Sequence, residues 1–368
     1  VFSSYLQAND IFSVVSFVAV PNSIMIMVAI VLGAKWNIIA LPVGSFLAVL
    51  LQVIILWPAM KKRGYRLRIN WKFKDEYIKE ICILMIPVTI GVSINQINVL
   101  VDRTIASRVA VGGISALTYA DSLIMFVQGI FSQSIATVYY PSIARIAEEK
   151  NEIKLKSLLE EAIGSMVFIL MPIMIGCIIL ANGIVRVLYG RGAFDETAIG
   201  LTGTALALYG VGILGYGIRE ILSRVFYAFH DTKTPMVNAM VGMILNIIMN
   251  VTLAEYLGIG GLALATSLSS IITAILLYIA LKRRQKILFS NDNLKEYIKM
   301  IVAVSIMGCI VFFVYNLTKI CLGYIGAVVI SIAAGIITYM LFCKILNVKI
   351  YHSLIKMFFK IIYRNSKL

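Results

Sequence analysis

Apolar residues run along this chain in long blocks, separated by short polar or basic segments. Ten blocks reach membrane-spanning length, at about 11–32, 36–59, 81–101, 114–138, 163–188, 198–222, 236–254, 259–281, 298–317 and 324–346. A bilayer core of about 30 Å needs roughly 20 apolar residues in a helix. The pattern therefore predicts an all-α polytopic membrane protein with ten transmembrane helices. The polar opening VFSSYLQAND lacks the layout of a cleavable signal peptide, and the chain reads as starting in the middle of something.

Composition agrees. Of the 368 residues, 60% are hydrophobic and only 14% charged, whereas soluble domains carry about 25% charge. The net charge of +15 would suggest nucleic acid in a soluble chain. Here it sorts by loop. The segments 60–80, 139–161, 219–235 and 282–299 and the tail from 344 hold 27 of the 33 Lys and Arg. The opposite side holds Lys35, Arg103, Arg108, Arg186, Arg191 and Lys319. The positive-inside rule then places the first set, and the C-terminus, in the cytoplasm. The tail 347–368 alternates apolar pairs with Lys and Arg and reads as an amphipathic helix on the inner leaflet.

The stretch LPVGSFLAVLLQVIILWPAMKKR (41–63) lines up with LALATSLSSIITAILLYIALKRR (262–284). Each is a long apolar helix followed by a basic stop, and Leu-Gly precedes both, at Leu32-Gly33 and Leu257-Gly258. The second copy closes a six-helix unit beginning near residue 81. The first copy should close an equivalent unit, so four further helices are expected ahead of Val1. This divides the chain into 1–63 (the last two helices of a first lobe), 64–80 (a cytoplasmic linker), 81–284 (a six-helix lobe) and 298–346 (an extra pair). Repeats of this kind are common in transporters, with the site between lobes.

Polar side chains inside spans are costly and so point to function. Asn95, Asn98 and Asp102 share one helical face, with Arg103 next to it. The following span carries Thr118, Asp121, Ser122, Gln128 and Ser132. Two consecutive helices thus each offer one wet face, as a cavity lining or as interhelical hydrogen bonds. Asn246 and Asn250 stand four apart, and Thr266, Ser267, Ser269 and Ser270 follow. Asp102, Asn246, Asn250 and Thr266 form a hard-oxygen cation site if their helices meet, and packing amides otherwise. Arg219, Glu220 and Arg224 read as side chains snorkelling to the inner interface. Gly210, Gly212, Gly215 and Gly217 predict close helix approach. The five cysteines read as buried hydrophobes. No HExxH, GxSxG or Walker A motif occurs, which favours transport over catalysis.

Several segments resemble the MurJ/MviN lipid II flippase family of the multidrug/oligosaccharidyl-lipid/polysaccharide exporter superfamily. They are NQINVLVDRTIAS (95–107), ISALTYADSL (114–123), ATVYYPSIARIA (136–147), VLYGRGAFDETA (187–198), SRVFYAFHDTKTP (223–235) and GGLALATSLSS (260–270). The resemblance runs over essentially the whole chain, and the loop motifs RGAFDETA and FYAFHDTKTP are its most specific part. It implies a fourteen-helix, two-lobe transporter, of which these spans are the fifth to fourteenth. It also implies that a polyprenyl-pyrophosphate-linked peptidoglycan precursor crosses the bacterial cytoplasmic membrane by alternating access. The headgroup would use a cationic central cavity, with Asn95, Asn98, Arg103, Thr118, Asp121, Ser122 and Gln128 as its lining here. The lipid tail would lie against the last helix pair.

The family carries an arginine after its YAD motif, where this chain has Ser122, and further arginines on its first two helices. It also implies a sodium site, falling here on Asp102, Asn246, Asn250, Leu262 and Thr266. An acid stands in the family where this chain has Asn250, so weaker sodium binding is expected. The expected partners are the lipid-linked oligosaccharide and membrane lipids, with a monomeric state, no nucleic acid and no cofactor beyond sodium. A polysaccharide-lipid flippase, a drug/cation antiporter, or a membrane-embedded enzyme or scaffold are the competing readings.

Overall fold

The structure is a computed structural model. It describes residues 2, 3, 6, 14, 17–62, 85, 96–149, 151–285 and 291–352, with backbone only for 284, 285 and 291–294. The linker 64–80, most of the span 81–101 including Asn95, and the tail beyond 352 lie outside the described residues. The chain divides into two compact units, Val1–Cys82 and Ile83–Leu368.

In the first unit, α1 (Ala19–Lys35) and α2 (Ala40–Lys62) pack as a hairpin. Gly44 lies directly against Ala29, and the two small side chains let the backbones approach closely. Pro42 occupies the first turn of α2, where the missing N–H costs no intrahelical bond.

The second unit begins with α3 (96–109), a helix that runs to the turn at Gly112. It continues through α4 (Gly113–Val127), a π-helical turn (Gln128–Ser132) and α5 (Gln133–Glu148), which together form one long rod. Then come α6 (Glu152–Tyr189) and α7 (Glu196–Gly210), the latter bent by 44° into α8 (Ile213–Ala228). The last elements are α9 (Lys233–Leu257), α10 (Ile259–Gln285) and α11 (Asn291–Ile345). Asn151 and Asp195 cap α6 and α7 by accepting from the Lys154 and Ala198 amides.

At about 1.5 Å per residue, α11 as one rod would exceed twice the bilayer core. It does not run as one rod. At Gly323 the backbone takes φ 68° and ψ −179°, a conformation open to glycine. Gly335 then packs back on Val311 and Met307, and Lys299 Nζ donates to the Asn347 carbonyl 3.2 Å away. The segment is a helical hairpin, in line with the two separate blocks 298–317 and 324–346. Among the described residues, six helices are long and apolar enough to cross a membrane, or seven with the bent α7–α8 pair. These counts take α11 as a single helix.

The distribution of polarity is inverted relative to a water-soluble fold. Helix α9 buries Asn246, Asn250 and Gly242 while exposing Ile244, Ile248 and Val251. Hydrocarbon, not water, must meet such a surface. The chain is a multi-pass membrane protein.

Candidate functional site

Three helices that each carry polar residues in apolar runs converge in the second unit. Asn250 on α9 donates its amide to Asp102 Oδ1 on α3 at 2.5 Å. The same nitrogen donates to Asn246 Oδ1 at 2.8 Å, one turn away. Asn246 Nδ2 in turn donates to Thr266 Oγ1 on α10 at 3.1 Å, and that hydroxyl donates to the Leu262 carbonyl at 3.1 Å. All five residues assigned to the cation site thus form one connected chain. In a membrane interior such bonds replace water as partners.

This chain backs a cavity of about 440 Å³ lined by Asn98, Asp102, Arg103, Thr118, Asp121, Gln128, Asn246 and Thr266. The cavity draws on α3, α4 with its π turn, the α7–α8 bend, α9 and α10. The π turn starts at Gln128, and such turns often mark functional positions in helices. Ser122 is not among the lining residues. It is exposed, and its hydroxyl donates to the Thr118 carbonyl at 2.7 Å. Asn250 and Leu262 are fully buried behind the wall.

The remaining wall was not foreseen as site. Tyr209, Tyr216, Arg219 and Thr273 line the cavity beside Ser269 and Ser270. Arg219 belongs to this wall, one helical turn from Tyr216, and its guanidinium lies 5.2 Å from that ring's centroid. Tyr209, Tyr216 and Arg219 are spaced seven and three apart, a recurrence that does identify one face.

Whether a cation suits the Asp102 cluster turns on Asn250. Its amide nitrogen stands between the Asp102 and Asn246 oxygens, while its own Oδ1 is buried with no hydrogen-bond partner. A half-turn of the side-chain amide exchanges these atoms. It would set the orphaned oxygen beside the Asp102, Asn246 and Thr266 oxygens. With that half-turn the donor set would be all oxygen, of the kind sodium takes, with a single formal negative charge.

A second cavity of about 520 Å³ lies between α6 and the α11 hairpin, with Phe131 of the π turn at its edge. Its lining, including Ile173, Cys177, Leu180, Val311 and Ile336, is almost wholly apolar. Tyr339 closes one wall, donating its hydroxyl to the Phe168 carbonyl at 2.9 Å.

The chain's relatives can be set beside this geometry. The family model described as "Lipid II flippase MurJ" matches residues 1–343. The chain belongs to the MurJ lipid II flippase family. That is a family of transporters. The probable lipid II flippase MurJ of Vibrio cholerae is 35% identical over 240 residues, covering 65% of this chain and 46% of the relative. The corresponding protein of Haemophilus influenzae is 34% identical over 311 residues, covering 82% of this chain and 61% of the relative. The chain spans about half to three fifths of the length of these curated relatives. A solved structure titled "Lipid II flippase MurJ, inward closed conformation" superposes with a TM-score of 0.78 at 27% identity, covering 96% of this chain and 71% of that one. The Vibrio cholerae transporter VcmN, at 13% identity and a TM-score of 0.53 over 77% of this chain and 66% of that one, shares the fold alone.

Proposed function

We propose that this chain is the lipid II-handling part of a flippase, moving the pyrophosphate-linked peptidoglycan precursor across the cytoplasmic membrane by alternating access. One observation carries the reading beyond family membership. A single compact unit holds a polar cavity with arginines and an apolar cavity of similar size beside the last helix pair. A lipid with a charged headgroup and a long hydrocarbon tail needs both surfaces at once. Charged groups resist entering hydrocarbon, so a polar cavity inside the helix bundle lowers the barrier to headgroup passage.

In this reading 81–284 is the second lobe, and the hairpin 298–346 holds the tail. The C-terminus lies in the cytoplasm, on the strength of the positive-charge bias, and the protein works as a monomer. Sodium, held by Asp102, Asn246, Asn250, Leu262 and Thr266, would supply a charge that draws α3, α9 and α10 together.

The test is rescue of a bacterium depleted of its own lipid II flippase by the complete gene. Wild-type protein should restore growth and lipid II translocation. A well-expressed protein that restores neither would refute the assignment.

A further inference from the structure

At the end of α6 the chain turns through residues 190–195 into α7. Tyr119 of α4, Tyr189 of α6 and Phe194 of the turn gather there as an aromatic triad. Their ring centroids lie 4.8 Å (Tyr119–Tyr189), 5.5 Å (Tyr119–Phe194) and 5.9 Å (Tyr189–Phe194) apart. With Leu188, Arg191 and Ala193 they line an open cup of about 430 Å³ that shares no residue with the two cavities above.

The turn is held at both ends. The Gly190 amide donates to the Arg186 carbonyl at 2.9 Å, and the Phe194 amide to the Arg191 carbonyl at 3.3 Å. Gly192 takes φ 64°, a left-handed conformation that favours glycine. Both neighbouring carboxylates are occupied: Asp195 accepts from the Ala198 amide, and Glu196 pairs with Arg186. The donors of the cup are open by contrast. Arg191 Nη2 donates to the Leu188 carbonyl at 3.1 Å, which leaves most of its N–H groups unused. Among the described residues Arg191 has no ion pair, and the hydroxyls of Tyr119 and Tyr189 have no hydrogen bond. An interfacial belt accounts for single tyrosines turned to lipid. It does not account for three rings gathered beside an arginine at an open cup.

The chemistry of the lining selects the occupant. Three rings alone would suit a quaternary ammonium ion, but the Arg191 cation repels one. An aliphatic chain would leave the guanidinium and the hydroxyls unmatched. A pyranose with equatorial hydroxyls matches both parts, since it carries C–H groups on its faces and oxygens around its rim. Its face stacks on a ring, and its rim accepts from Tyr119, Tyr189 and Arg191. An N-acetyl substituent adds a methyl group for the rings and a carbonyl acceptor for the guanidinium.

We propose that this cup binds the ring of an N-acetylated hexosamine. It is a glycan site apart from the polar cavity, on the side opposite the basic loops. That the glycan is the precursor's own, held after crossing, rests on the flippase reading above; the chemistry of the cup does not.

The experiment titrates three probes against the protein from its complete gene in phosphatidylglycerol nanodiscs, followed by saturation-transfer NMR. The probes are a β-1,4-linked N-acetylglucosamine disaccharide, cellobiose and tetramethylammonium. Wild-type protein should bind the acetylated disaccharide more tightly than cellobiose, and tetramethylammonium least. Arg191→Gln should weaken the acetylated disaccharide about tenfold, the scale of one hydrogen bond from a charged donor, and bring it close to cellobiose. Tyr119→Leu should weaken both sugars, and Tyr119→Phe, which keeps the ring, should weaken them less. If Tyr119→Leu melts early, Arg191→Gln decides alone, because its side chain is exposed and its loss leaves the triad packed. The proposal is overturned if wild-type protein binds neither sugar, if it takes tetramethylammonium in their place, or if Arg191→Gln binds the acetylated disaccharide as tightly as wild type. Each of these results leaves the flippase reading to its own rescue test.

Discussion

Asn250 and Asp102 lie 148 residues apart in sequence, yet the amide of one donates to the carboxylate of the other at 2.5 Å. The bond ties α9 to α3, and through Asn246 and Thr266 it reaches α10. The cluster therefore couples three helices that line the polar cavity.

The first prediction follows from the charge count of that cluster. Asn250→Asp adds a second carboxylate beside Asp102, and two such groups repel unless a cation joins them. The variant should melt lower than wild type in choline chloride and regain stability in sodium chloride. At a sodium concentration tenfold above its dissociation constant, binding stabilises by about 1.4 kcal/mol. Wild-type protein should respond less, and Asp102→Asn should abolish the response. Melting curves in sodium, potassium and choline decide the matter. Equal curves for Asn250→Asp in all three salts would remove the case for a cation.

Much of this cluster was legible in the sequence, because Asn, Asp and Thr stand out in apolar runs and recur at helical spacing. The break in α11 was legible too, since its two apolar blocks already stood apart around Gly323. The π turn at Gln128–Ser132 was not, as its letters continue an ordinary helical pattern. The place of Arg219 in the cavity wall was not legible, for a different reason. Counting positive residues by helix end places it with the cytoplasmic loop, but that count is blind to which way a side chain points. Only the folded structure shows that Glu220 pairs with Arg224 while Arg219 lines the cavity.

Two ion pairs in different surroundings should differ in their effects. Glu196 makes a two-pronged pair with Arg186, whose guanidinium also lies 4.2 Å from the Tyr324 ring centroid. Its side chain is 73% exposed. Glu296 is 7% exposed, accepts from Lys299 Nζ at 2.9 Å, and accepts from the Lys349 amide at 2.8 Å. Solvent screens the first pair, so Glu196→Ala should cost under about 1 kcal/mol. Glu296→Ala removes a buried carboxylate that accepts from two donors and should cost more, about 2 kcal/mol, the scale of hydrogen bonds to a charged group. It should also speed amide exchange at residues 346–352, where Lys349 is anchored. Denaturation and hydrogen exchange measured on both variants compare the two directly.

The glycines of α8 make a packing prediction. A Cβ on Gly212 would lie 2.7 Å from Ser267 Cα, and one on Gly215 would lie 2.8 Å from the Ile271 nitrogen. Both obstacles are backbone, so a side chain there must push α8 away from α10. Gly215→Val should destabilise by about 1–3 kcal/mol, the range for overpacked cores. Gly129, with nothing within 4 Å of its added Cβ, should accept alanine with little change. Melting temperatures of the two variants should therefore separate clearly, and equal values would mean that α8 and α10 are not held this closely.

The apolar cavity offers the sharpest separation of transport from stability. Its walls come from α6 and the hairpin, and Ile173, half-buried at the edge of the core, lines the open space. Ile173→Trp adds bulk into a void of about 520 Å³. The fold has room for it, so the melting temperature should change by no more than the small cost of a tolerated substitution. A lipid tail seated there would meet the indole, and translocation of a long-tailed substrate should fall several-fold. Shortening the polyprenyl chain until it no longer reaches Ile173 should restore the lost rate, which a misfolded variant would not do. Translocation assays with long- and short-chain substrates on wild type and Ile173→Trp read this out. Equal loss with both chain lengths would place the tail elsewhere.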